Sequence, residues 1–270
     1  MKRFYQPDNT RLKYLRLLLL FWRTSLKVET EYRLNFYFAV ISSFINFVGS
    51  VFGLSVFYKI TNTLGGWTFE EALVVMGIFI LIEGFSQSVL NPNLNYIVEY
   101  VWKGTLDFVL LKPVDSQFYL SFRNFSIWGI PNALFGLGLI IYGALKLKAG
   151  LLDIITGIFA VFISLLILYS IWFVLGSLSI WFVKIYNITF VLRQLIEAGR
   201  YPITAYPEVY RFIFTFVVPV IFLTTVPASF IKGGGKTISL IISMCVAVFL
   251  FVFSRIFWNF ARRHYSSASS

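Results

Sequence analysis

Apolar residues fall in long runs at 34–58, 69–90, 118–143, 152–182 and 237–260, separated by short polar breaks. Each run reaches the ~20 residues that carry a helix across the hydrocarbon core of a bilayer. The pattern predicts five membrane spans. The breaks lie at 61–68, with Gly65 and Gly66, at 91–117, at 146–150 and at 232–236. A further region, 184–231, is apolar but interrupted by charges and prolines. Neither a soluble domain nor an internal repeat is visible.

Basic residues set the orientation. Lys2, Arg3, Arg11, Lys13, Arg16, Arg23, Lys27 and Arg33 crowd one end of the chain, and Arg262 and Arg263 the other. By the positive-inside rule both termini are expected in the cytoplasm. That demands an even number of crossings, so 184–231 must supply one, making six. Segment 91–117 then falls inside, and the other three breaks outside. Lys146, Lys148, Lys232 and Lys236 weaken this bias without reversing it. The expected fold is an all-α integral membrane protein in one transmembrane domain, 1–270. It comprises an N-terminal amphipathic interfacial helix (10–33), spans one to four in 34–182, and 183–270 with span five, an outer re-entrant segment, span six and a tail.

Composition closes off other classes. Only 13% of residues are charged, about half the ~25% of soluble domains, which excludes a soluble enzyme. The net charge of +11 reads as membrane orientation, and no nucleic-acid partner is expected. Cys245 and His264 stand alone, so neither an internal disulfide nor a metal site is expected. The polar start and basic 11–27 lack the pattern of a cleaved signal peptide, so the N-terminus is expected to be retained.

Several stretches carry more than hydrophobicity. Lys13, Arg16, Arg23 and Lys27 recur at three, seven and four residues, one stripe of a helix, with Leu12, Leu15, Leu19 and Trp22 largely off it; a helix in the membrane plane follows. In the first span Ser42, Asn46, Gly49 and Gly53 share a face, suited to packing inside the chain or to a second subunit or substrate path. Glu83, followed by Gln87 one turn later, should face protein or water. In 93–117 apolar Ile97, Val98, Val101, Leu106, Val109 and Leu110 alternate at helical intervals with Glu99, Lys103, Asp107 and Lys112, an amphipathic insert suited to docking a partner. In 183–200, Arg193 and Glu197 lie one turn apart and must pair with each other or face water. Pro202, Pro207, Pro219 and Pro227 follow within 26 residues, so 206–231 is expected to dip into the outer leaflet and return. The alternative puts the crossing at 208–230, with 183–200 on the inner surface. Gly233-Gly234-Gly235-Lys236-Thr237 imitates the end of a phosphate-binding loop, but Phe230 stands where its first glycine belongs. No catalytic constellation is visible, and no ATPase site.

The chain resembles permease subunits of type-2 ABC transporters, the exporter class. Trp102 to Val114 is similar to that family's loop between spans two and three, where a Gly-x-Leu-Asp/Glu, Leu-Leu, Pro pattern closes the coupling helix. Tyr201-Pro202 through Pro207 is similar to the aromatic-Pro-x-x-x-x-Pro stretch after span five, Pro219 falls in the outer segment, and the basic N-terminal helix resembles the connecting helix. The Arg200-Tyr201-Pro202 triplet resembles a branch of bacterial permeases in which two different permeases accompany one ATPase, although the charged fifth span departs from other relatives.

This resemblance implies a pair of permeases, homodimeric or heterodimeric, in the bacterial cytoplasmic membrane, driven by separate ATP-binding subunits that hold ATP and Mg, with no cofactor on this chain. The cytoplasmic coupling helix at 96–111 would meet the ATPase through Glu99, Lys103 and Asp107 at its rim and Val101, Trp102 and Leu106 as anchors. Ser42, Asn46, Gly49, Gly53, Arg193 and Glu197 would lie near the subunit interface or path, and Tyr201, Pro202, Pro207 and Pro219 would cap it. The competing readings are an ion-gradient-driven transporter or channel using Glu83 or Arg193 and Glu197, which would ordinarily show repeated halves, and a membrane enzyme acting on lipid-linked substrates.

Overall fold

The computed structural model describes residues 10–29, 33–182 and 186–265; Lys2, Arg3 and the start of the expected fifth span at Val183 lie outside them. Most of the described residues are helical, and none forms a strand. Five helices are long and apolar enough to cross a membrane: Leu34–Ile60, Phe69–Trp102, Ile127–Lys146, Leu151–Ile180 and Thr237–Ala261.

Helix α1 (Thr10–Glu29) precedes α2 (Arg33–Ile60), and α3 (Phe69–Phe85) starts at a capping box in which Thr68 Oγ1 accepts from Glu71 N–H and Thr68 N–H donates to the Glu71 carboxylate. The second span does not end near 90. It passes through a π-helical turn, Ser86–Leu90, into α4 (Asn91–Trp102). Pro92 lacks an N–H and crowds the carbonyl four residues back, so a regular helix cannot pass here and the wide turn absorbs the defect. Asn93 secures the joint: its Nδ2 donates to Val89 O at 2.7 Å and Asn124 O at 2.8 Å. At ~1.5 Å per residue the 34-residue rod measures about 51 Å, well beyond the ~30 Å core. The expected long loop therefore shrinks to 103–115, turned by Gly104 at φ 65° around α5 (Asp107–Leu110).

Helix α6 (Ser116–Phe122) is separate from α7 (Ile130–Lys146), so the third span starts later than 118. Helices α3 and α7 meet along Gly77, Gly84, Gly129 and Gly136. A methyl group on Gly84 would lie 2.5 Å from Ala133 N, and one on Gly136 2.6 Å from Gly77 O. Close backbone approach of this kind drives helix association in lipid, where burial of apolar groups gives no advantage.

Helix α8 (Leu151–Ser177) returns to the end of the bundle that carries loop 103–115, where Trp181 stacks on Phe260. Helix α9 (Tyr186–Glu197) then leads to the opposite end, because Thr204 donates to Gly65 O and accepts from Trp67 Nε1, both at 3.0 Å. Trp181 and Thr204 thus lie at opposite ends of the bundle. The arms Glu208–Val217 and Val220–Ile231, containing α10 (Glu208–Phe212) and α11 (Thr225–Ile231), meet at 76°. They return to their starting end, where Lys232 lies 3.9 Å above the Trp67 ring and 3.4 Å from Glu71. If the two arms are counted together as one bent span, the described residues hold six candidate crossings. Broken helices leave backbone groups that must be satisfied: Ser164 Oγ donates to Phe222 O at 2.7 Å, and Ile203 N–H to Thr225 Oγ1 at 3.1 Å.

Helix α12 (Thr237–Ala261) runs back to the loop-103 end, clamped to α6 by Arg255 on Asp115 and by Trp258 Nε1 donating to Ser116 Oγ at 3.0 Å. Partial burial would raise the Asp115 carboxyl pKa, but hydrogen bonds from Arg255 and Phe118 N–H outweigh it and hold that pKa below the usual range. Helix α1 lies along the same end: Lys13 Nζ donates to Pro113 O at 3.0 Å and Trp22 stacks on Phe125. It presents three faces, with Phe21 buried inward, Leu15, Leu19 and Leu26 exposed, and Lys13, Arg16, Arg23 and Lys27 in a basic strip beside them.

Gly136→Val should cost about 1–3 kcal/mol by overpacking, read as a lowered unfolding midpoint in detergent. Gly49→Ala, where a methyl meets nothing within 4 Å, should leave the midpoint of the isolated chain unchanged.

Candidate functional site

Several charged and amide side chains of the spans converge on one place. Helix α2 turns Ser43, Ser50 and Leu54 inward and leaves Asn46, Gly49 and much of its other surface open. Behind it, α3, α7 and the turn after α9 enclose a cavity of about 310 Å³, lined among others by Ser42, Asn46, Glu83, Asn132, Glu197 and Arg200. Two hydrogen-bonded chains build its wall. Asn132 Nδ2 donates to Gln87 Oε1 and Gln87 Nε2 to Glu83 Oε1, both at 3.1 Å. Arg200 donates to Ser50 Oγ at 2.9 Å and to Glu197 Oε2 at 2.6 Å, with its guanidinium over the Phe79 ring.

Glu197 pairs with Arg200; of the two outcomes left open for Arg193 and Glu197, a mutual pair or a polar cavity, the structure has the second. Arg193 lines a smaller cavity of about 40 Å³ on the far side of Glu83, Gln87 and Glu197. An ionised side chain at the centre of a spanning helix costs about 2.5–3.5 kcal/mol on insertion scales, and these four charges meet partners or cavity. Their signs cancel, two acids against two bases. A polar solute thus finds donors and acceptors without a strong net field.

The face Ser42, Asn46, Gly49 and Gly53 is not packed inside the chain: no atom stands within 4 Å of a methyl placed on Gly49 or Gly53. The cavity is walled on the α3 and α7 side and bordered by this open helix. At one end of the bundle Tyr201 rests edge-on against Phe57, Pro202 is buried, Pro207 is exposed and Pro219 stands at the 76° bend. At the other end Trp102, Phe108 and Leu111 are exposed at 66%, 70% and 81%, beside the exposed pair Glu99–Lys103. Asp107 and Val101 are half-buried there, and Leu106 is fully buried. Leu106 therefore holds the loop from within and offers no surface for an anchor.

Against known families, a model described as ABC-2 family transporter protein matches residues 44–269. The chain belongs to the ABC-2 transporter family. No curated protein and no solved structure matches it. As an ABC-2 membrane component the chain is a permease subunit of an ABC transporter, an integral membrane protein of a kind that works with ATP-binding subunits and is generally not catalytic.

Sequence reading missed Arg200 as a wall residue, because its triplet marked the end of a span rather than a site. It missed Asn132 altogether, although an amide beside Pro131 in an apolar run was a visible signal. Arg200→Gln removes the ion partner of Glu197 and should lower stability by about 1–2 kcal/mol, less than for a fully buried pair because both side chains are about one-third exposed. Arg200→Gln/Glu197→Gln should recover part of that loss in a thermal melt.

Proposed function

We propose that this ABC-2 permease is one of two membrane subunits of an ATP-driven exporter in the bacterial cytoplasmic membrane. The polar cavity bordered by the unpaired face of α2 carries this reading: it has the form of half a conduit, completed when a second permease covers Asn46, Gly49 and Gly53. The Arg200-Tyr201-Pro202 triplet favours a non-identical partner.

Separate ATPase subunits, holding ATP and Mg, dock on 96–111 at the cytoplasmic end. Trp102, Phe108 and Leu111 are the apolar anchors, and Glu99, Lys103 and Asp107 the polar rim. The rod from Phe69 to Trp102 carries ATP-driven closure to the cavity. The segment from Tyr201 through Pro207 and Pro219 is re-entrant and caps the path from outside. With its basic strip beside exposed leucines, α1 lies in the inner membrane interface, and both termini are cytoplasmic.

Phe108→Glu, on a side chain that supports no core, should weaken co-purification with the ATP-binding subunit about 30-fold, the ~2 kcal/mol of an interface hot spot, and abolish ATP-dependent transport in vesicles. Full transport by the purified chain without an ATPase would instead establish the gradient-driven reading.

A further inference from the structure

A second, larger concavity lies away from the polar cavity, between α3, α6, α8 and α12. It measures about 790 Å³ and is walled by Phe85, Phe122, Phe162, Leu166 and Phe251. Its polar groups gather at one place. Arg255 donates to both Asp115 oxygens and, at 3.2 Å, to Gln117 Oε1; Tyr169 OH lies 3.1 Å from Gln117 Nε2 and 2.9 Å from Ser121 Oγ. Arg255 stands on the last two turns of α12, near the loop-103 end, whereas Phe162 lies about halfway along α8. The seven residues from Phe162 to Tyr169 rise about 10 Å, most of one leaflet's ~15 Å of hydrocarbon.

The groove is therefore polar toward the loop-103 end and apolar from there to about the middle of α8. A guanidinium has five donors, and the three bonds to Asp115 and Gln117 leave capacity for an ester or phosphate oxygen, on a side chain 42% exposed.

We infer that this groove holds one phospholipid of the leaflet at the loop-103 end, an acyl chain along Phe162 and Leu166 and its glycerophosphate at the Asp115–Arg255 pair. A helix of another protein would have to place a polar group opposite that pair, whereas a phospholipid brings one at the right depth by its own construction. The inference stands apart from the proposed transport role, since the groove shares no lining residue with the polar cavity.

The test is native mass spectrometry of the full chain released from vesicles of phosphatidylethanolamine and phosphatidylglycerol. The expected result is one retained phospholipid, lost at least about tenfold more readily from Leu166→Trp, which fills the groove, but not from Leu152→Trp on the exposed outer end of the same helix. Equal loss from wild type and Leu166→Trp overturns the proposal. So does a second copy of the chain held in place of lipid and released by Leu166→Trp. Should Leu166→Trp fail to fold, a phospholipid with a photoreactive group at mid-chain decides on the wild type: labelling concentrated on 162–169 and Phe251 supports the site, and labelling no stronger than at exposed Phe52 overturns it.

Discussion

Inside a bilayer, a polar group without a partner has no water to turn to, and this requirement organises the whole molecule. Where helices run unbroken, backbone groups satisfy each other and little else is needed. Where they break, a side chain supplies the missing partner: Asn93 at the π turn, Ser164 and Thr225 at the proline-rich hairpin, Thr204 at the turn onto Gly65. The same rule gathers Glu83, Gln87, Asn132, Glu197 and Arg200 into one wall. Scattered among lipids, each would cost kilocalories; together they form one hydrogen-bonded polar surface.

The spans were legible because length and hydropathy determine them almost alone: 34–58, 152–182 and 237–260 differ from the helices by a few residues. The join of span two to α4 was not, since Pro92 looks like a stop and becomes a π turn only because Asn93 and Asn124 hold the joint. The α3–α7 seam stayed hidden as well. Its glycines stand seven residues apart on each helix, and the eye is drawn instead to Gly49 and Gly53, which pack against nothing in the chain.

Site residues followed the same division. The helical period in 93–117 does not tell which apolar positions face inward: Leu106 proved to be a core residue, while Trp102, Phe108 and Leu111 face out. Arg193 and Glu197 share a helix, so pairing between them looked natural. Arg200 wins because its guanidinium also reaches Ser50 and lies on Phe79, which a side chain on the preceding turn does not match.

The π turn occupies Ser86–Leu90, and Gln87 lies within it. The π turn of the long rod and the centre of the polar wall are thus the same few residues. Gln87 is bonded to Asn132 on one side and to Glu83 on the other. A change of bend at this turn and a change in the cavity wall would therefore involve the same side chain, Gln87.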